Sequence, residues 1–215
     1  MKNFDGIIFD IDGTLAATNE LIFASFNHVA EKYLNKKFTN EEIVSQFGPP
    51  EDVILKKWMH ENFDSARHDY YHFYQTQHDA MASIFPGLTE AITSIKKHNI
   101  KLGIFTGKGK DSSVITLRAI DVYDFFDLII TGDDVKEHKP SPEGIHKFME
   151  TYNLNNERVL MIGDSIFDIN AAKGAGIKSA LVLWDDFSRL KYGHLQADYI
   201  FNSVDEFQKF IHNNI

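Results

Sequence analysis

Gly6-Ile7-Ile8-Phe9-Asp10-Ile11-Asp12-Gly13-Thr14 decides the reading of this chain. Four apolar residues run without a break into an acid, a second acid follows two positions on, and a glycine turns the chain. A short continuous apolar run suits a strand buried on both faces of a parallel sheet, with its polar residues at the carboxyl end. Three later segments repeat the pattern. Leu102-Gly103-Ile104-Phe105 ends at Thr106, Phe126–Ile130 ends at Thr131-Gly132-Asp133, and Val159-Leu160-Met161-Ile162 ends at Gly163-Asp164. Ser179–Leu183 and Tyr199-Ile200-Phe201 read as two further strands.

Helical stretches separate these runs, at about Leu88–His98, Asp111–Ile120, Pro142–Tyr152, Phe167–Lys173 and Val204–Ile211. Strand and helix alternate from about residue 86 onward. That alternation predicts an α/β fold, a doubly wound parallel sheet with helices on both faces. The first connection breaks the rule. Some 65 residues, Asn19 to Ser83, carry helical spacing and no strand. Leu21, Ile22, Ser25, Phe26 and Val29 recur at helical intervals, as do Val53, Ile54, Lys57 and Trp58, and then Tyr70, Tyr71 and Tyr74. No ordinary strand-to-helix connection is that long. The expected organisation is a core of residues 1–17 and 84–215 with a helical cap inserted at 18–83.

Composition narrows the function. The chain has 215 residues, long enough to bury a sizeable core, and 43% of them are hydrophobic. Its formal net charge of −9 gives no broad attraction for nucleic acid or for an anionic membrane. There is no cysteine, which removes disulfides, thiol nucleophiles and zinc–thiolate sites, and fits a reducing compartment. No apolar run is long enough for a membrane span, and the first twelve residues lack the basic start and apolar core of a signal peptide. The expected location is the cytoplasm, with no nucleic-acid or membrane partner and the oligomeric state left open.

The candidate site lies where ligands bind in open α/β sheets, at the carboxyl ends of strands. Asp10, Asp12, Thr106, Asp164 and Asp168 gather there, with Lys139 shortly after Asp133-Asp134. Converging carboxylates repel one another and need a cation or a shared proton. Without cysteine, a hard cation held by oxygen is the expected answer, and Mg²⁺ commonly pairs one or two carboxylates with a substrate phosphate. A carboxylate can attack phosphorus, and a second one can move the proton. The ammonium of Lys139 complements a phosphate as a point charge.

Those residues resemble a known family. Phe9-Asp10-Ile11-Asp12-Gly13-Thr14 is similar to the DxDGT motif of the haloacid dehalogenase-like superfamily. Thr106 resembles its second motif, Lys139 in Lys139-Pro140-Ser141-Pro142 its third, and Gly163-Asp164-Ser165-Ile166-Phe167-Asp168 its fourth. All four occur in order, and the likeness spans essentially the whole chain, helical cap included. It implies Asp10 as nucleophile and metal ligand, with Asp12 as general acid/base whose backbone carbonyl also binds Mg²⁺. It implies Asp164 and Asp168 at the metal. Thr106, Gly107, Lys108, Lys139 and Gly13 fall around the phosphoryl group, with Thr106 and Lys139 counted as catalytic. Asp12 favours phosphate chemistry over dehalogenation, because an alkoxide leaving group needs a proton and a halide does not.

Details sharpen and complicate the resemblance. Phe47-Gly48-Pro49-Pro50 and Thr131-Gly132-Asp133-Asp134-Val135 look like phosphoglycolate phosphatases and the related bacterial pyrophosphatases. Glu51 stands where β-phosphoglucomutases carry an arginine. Ala17-Thr18 replaces the Asp-Ser or Asp-Thr that members often show beside the cap hinge. Gly107-Lys108-Gly109-Lys110 lacks Walker A spacing and reads as a strand-to-helix turn. His68 and His72, four apart, read as cap residues rather than a metal pair. The expected activity is Mg²⁺-dependent hydrolysis of a small soluble phosphate (phosphoglycolate-like, pyrophosphate or a sugar phosphate) through an aspartyl-phosphate. A phosphomutase and a silent binding module on the same fold are the alternatives.

Overall fold

Every apolar run that ends in a polar residue becomes a strand of one sheet. The computed structural model describes residues 3–215; Met1 and Lys2, at which the expected core begins, lie outside them. The strands are β1 (Gly6–Phe9), β4 (Lys101–Phe105), β5 (Leu128–Ile130), β6 (Val159–Gly163), β7 (Lys178–Val182) and β8 (Tyr199–Phe201). They form a parallel sheet in the order β5-β4-β1-β6-β7-β8. The chain builds outward from β1 to β4 and β5 on one side, then crosses to β6, β7 and β8 on the other. The reversal leaves a crevice at the carboxyl end of β1, between β4 and β6. Phe9 pairs in register with Ile104 on one side and Ile162 on the other. The polar residues after all three strands therefore meet at one place.

Two helical layers bury the sheet. On one face α5 (Leu88–Lys97) and α10 (Val204–Asn214) press Leu88, Ile92, Phe207 and Ile211 onto Phe9, Leu102 and Ile162. On the other, α7 (Glu143–Tyr152) and α8 (Ile166–Ala175) cover Ile8, Phe105 and Met161 with Ile145, Phe148 and Ala171. The Phe148 ring lies against the backbone of two adjacent strands. A Cβ on Gly103 would stand 2.6 Å from it, and one on Gly6 2.9 Å. Those strands carry glycine where the ring needs the room.

Residues 19–81 are helical throughout their regular elements, as their spacing predicts: α1 (Asn19–Leu34), α2 (Asn40–Val44), α3 (Glu51–Met59) and α4 (Phe63–Met81). They bury an apolar cluster of their own, centred on Phe26, whose ring lies 4.9 Å from Tyr70 and 5.5 Å from Trp58. The chain leaves and returns through a short antiparallel pair, β2 (Ala16–Ala17) with β3 (Ser83–Ile84). α4 also packs on α6 (Lys110–Ala119), where the Tyr74 hydroxyl and Thr116 Oγ1 share a buried hydrogen bond of 2.8 Å.

Three departures from the expected elements have local causes. β5 begins at Leu128, not Phe126, because Tyr123–Phe125 close a 3₁₀ turn first. The β2–β3 pair is too short to show a period. α9 (Asp186–Tyr192) was not expected at all; the Asp185 side chain caps it by accepting from the N–H groups of Phe187 and Ser188. Among the described residues, no helix is long and apolar enough to cross a membrane.

Phe148→Ala should destabilise the chain by about 3–5 kcal/mol, since it empties a site walled by backbone that cannot collapse. Urea unfolding should show a lower midpoint with an unchanged slope.

Candidate active site

β1 delivers Asp10 into the crevice, where its N–H donates to Ile162 O at 2.9 Å. Gly13 turns the chain at φ +73°. Any Cβ there would collide with the carboxylate of Asp164, so the turn and the acid share the space only because the residue is glycine. Asp164 follows β6, and Asp168 sits in the first turn of α8. Asp10, Asp164 and Asp168 are all buried, and one oxygen of each lies within 4.8 Å of the others.

Lys139 answers part of this charge. Its Nζ stands 2.5 Å from Asp168 Oδ1 and 3.0 Å from Asp10 Oδ1. Burial opposes its charge, yet Asp10 and Asp168 outweigh burial and hold the ammonium above the ordinary lysine range. Asp10 and Asp164 shift upward. Burial, opposed by Lys139 and reinforced by Asp168, raises Asp10. Burial with the charges of Asp168 and Asp10 raises Asp164 strongly. Asp168 is committed elsewhere: its Oδ2 accepts from the N–H of Ser165 at 3.1 Å and from its hydroxyl at 2.6 Å, closing a capping box on α8. Both of its oxygens thus have donors from the chain.

Asp12 occupies a second, separate network. Thr18 stands at the start of α1, but its hydroxyl donates to Asp12 Oδ1 at 2.5 Å rather than to a helix N–H. Lys108 was expected around a phosphoryl group. It lines the same cavity as Asp10 and Thr106, with its ammonium 3.3 Å from Asp12 Oδ1, 3.4 Å from Glu51 Oε1 and 4.6 Å from the centre of the Tyr74 ring. Glu51, at the start of α3, accepts from Gly109 N at 2.7 Å and from Ser112 Oγ at 2.6 Å. Thr106, at the end of β4, is buried, and its hydroxyl accepts from Lys108 N at 3.3 Å. Gly107 passes under the first connection so closely that an added Cβ would stand 3.1 Å from Gly48 O.

The structure thus gathers Asp10, Thr106, Lys139, Asp164 and Asp168 at the crevice, with Gly13 and Gly107 in the turns beside them. A cavity of about 450 Å³ opens over Asp10, Asp12, Thr106, Lys139 and Asp164. Three pairings escaped the sequence reading: Thr18 with Asp12, Glu51 with Lys108, and Ser188 of α9, whose hydroxyl donates to Asp164 Oδ2. Asp185-Asp186 ahead of Phe187 was an available capping signal for α9. Nothing local foretells the partners of Glu51, which lie more than fifty positions away.

The raised carboxylates fix the sign of a pH effect. Between the ordinary carboxylate pKa and the raised one, the folded chain keeps protons that the unfolded chain loses, so stability falls as pH rises. In EDTA, the melting temperature should drop as pH climbs from about 4 to 7. Asp164→Asn should make that fall shallower and raise the pH 7 value by about 2–4 °C for each kcal/mol of repulsion removed. Scanning fluorimetry at several pH values measures both.

Comparison with known proteins agrees with this geometry. The family model for haloacid dehalogenase-like hydrolases matches residues 7–182. The pyrophosphatase PpaX of Bacillus velezensis is 31% identical over 205 residues, 95% of each chain. That of Anoxybacillus flavithermus is 32% identical, again over 95% of each. Among solved structures, CbbY from Rhodobacter sphaeroides in complex with phosphate superposes with a TM-score of 0.81 at 24% identity, covering 95% of this chain and 96% of that one. The run of motifs, the switch-point crevice and these likenesses agree: the chain belongs to the haloacid dehalogenase-like hydrolases and is an enzyme of their phosphatase type.

Proposed function

We propose that the chain is a Mg²⁺-dependent phosphatase that cleaves a small phosphorylated metabolite through an aspartyl-phosphate on Asp10. One observation carries this: the buried Asp10 stands at the switch point with the Lys139 ammonium 3.0 Å from its Oδ1, while Asp12, two residues on, is held apart by Thr18 and Lys108. In this reading residues 18–83 act as a cap over the core of residues 1–17 and 84–215.

The residues fit a divalent cation. Three buried carboxylates against one ammonium leave two negative charges in a cluster of hard oxygen donors. Asp10 and Asp164 would hold the ion, with the Asp12 carbonyl that the resemblance implies. Both oxygens of Asp168 already have donors, so it acts by holding Lys139 and Ser165. Bound Mg²⁺ neutralises phosphate charge and orients the phosphoryl group.

The chain's own residues carry the steps. One Asp10 oxygen attacks phosphorus as the bond to the leaving oxygen breaks. Asp12 gives that oxygen its proton, then takes one from the water that cleaves the aspartyl-phosphate. Lys139 and the Thr106 hydroxyl, with backbone N–H groups of the Gly107 turn, hold the transferring oxygens. Lys108 positions Asp12 and leaves the phosphate to Lys139. The curated relatives are named pyrophosphatases, which supports a small phosphate as substrate. A phosphomutase would need a cation for its second phosphate where this chain has Glu51.

Phosphate release should require Mg²⁺ and stop in EDTA across a panel of phosphoglycolate, pyrophosphate and sugar phosphates. Asp10→Asn should lower turnover by at least about 10⁴-fold with the fold intact by circular dichroism. Retained turnover sinks the nucleophile assignment. Asp12→Asn should cost about 10²–10⁴-fold on alkyl esters and much less on p-nitrophenyl phosphate, whose leaving group needs no proton.

A further inference from the structure

The wall of the cavity opposite the carboxylates is hydrocarbon. Ile22 and Phe26 of α1, Val44 of α2, Phe47 and Pro49 of the loop, and Ile54 of α3 line it. The aromatic part is braced from behind. Phe26 packs on Tyr70 and Trp58, and Phe47 stacks on Phe23 with ring centres 6.3 Å apart. Such a wall is preformed and does not fold away to admit polar groups.

No cation stands on the apolar wall. The cavity lining contains no arginine and three lysines. Lys139 is paired with Asp10 and Asp168, and Lys108 with Asp12 and Glu51, both at the floor. Lys191 is exposed and stands on α9, among the core residues, not on the apolar wall. Glu51, at the edge of the wall, has both oxygens held by Lys108, Ser112 and Gly109 and offers a distal phosphoryl group no donor. Pressing an anion against this surface removes its water and returns no partner.

Size points the same way. An apolar cavity of about 150 Å³ accommodates a benzene ring. This one has about 450 Å³. A phosphoryl group on the floor leaves most of it for an organic group, and Asn19 and Ser45 at its edge can meet a hydroxyl or ether oxygen.

We propose that the natural substrate is a phosphate monoester of a neutral, largely apolar alcohol, alkyl or aryl, rather than pyrophosphate or a bisphosphate. This rests on the phosphatase reading above and narrows it to one class of leaving group. The phosphoryl group lies at Asp10 and Lys139, and the carbon skeleton lies against Phe26, Phe47 and Ile54.

The test uses the wild-type enzyme with Mg²⁺ and reads kcat/KM for ethyl, butyl and hexyl phosphate beside pyrophosphate. Leaving-group acidity is nearly constant along the alkyl series, so any trend reports burial. The expected result is a rise of about threefold to fourfold per methylene until the wall is covered, as burial of CH₂ groups dictates. Hexyl phosphate should then exceed pyrophosphate at least tenfold. A flat series, or pyrophosphate at or above the best ester, overturns the proposal and leaves the phosphatase reading standing. No phosphate from any of these or from p-nitrophenyl phosphate overturns both.

Discussion

Repulsion among buried carboxylates is the constraint around which this molecule is built. Parallel strands β1 and β6 end side by side, and each hands an aspartate to the same crevice. Low surrounding polarity magnifies the repulsion. The rest of the site can be read as its containment. Lys139 reaches in from a distant loop to stand between Asp10 and Asp168. Ser165 and the N-terminus of α8 hold Asp168, and Ser188 holds Asp164. Glycine occupies positions 13 and 163 because a Cβ at either would run into one of these carboxyl groups. The remaining negative charge weighs on the fold, and in the proposed reading a divalent cation would answer it.

The second carboxylate of the Asp-x-Asp pair has a different environment. Asp12 is tied to Lys108 and Thr18, and through Lys108 to Glu51 at the start of α3. Glu51 in turn grips the turn before α6. The helices above the site and Asp12 below are therefore parts of one polar network. Such a network is held together by its completeness, since removing one member leaves a charge without a partner. It also sets Phe47, Gly48, Pro49, Glu51 and Ile54 along the cavity over the crevice.

Much of this was legible in the sequence for plain reasons. A strand buried on both faces must be apolar throughout, so β1, β4 and β6 announce themselves, and their polar ends mark the crevice. Helical spacing over residues 19–81 rules out strands there. β5 was misplaced by two residues because Phe126 is as apolar as the strand it precedes, and only the turn at Tyr123–Phe125 sets the start. α9 escaped because seven residues show too little period to be read. Ser188 escaped with it.

Sequence by itself determined the fold class, the four motifs that carry the family resemblance and the order of the charged residues along the chain, because strand pattern and short motifs are local properties. Tertiary structure alone decided which charge answers which. Lys108 sits two residues after Thr106 in the chain, and folding brings Asp12 and Glu51 to it from 96 and 57 residues away. Thr18, at the start of α1, puts its hydroxyl on Asp12 and not on a helix N–H. The hydrocarbon wall over the crevice is likewise invisible in the chain, since its residues follow the ordinary pattern of a helical core. Partners so distant in sequence leave no local trace, because their pairing is set by where the sheet and the helices bring them and not by what lies beside them in the chain.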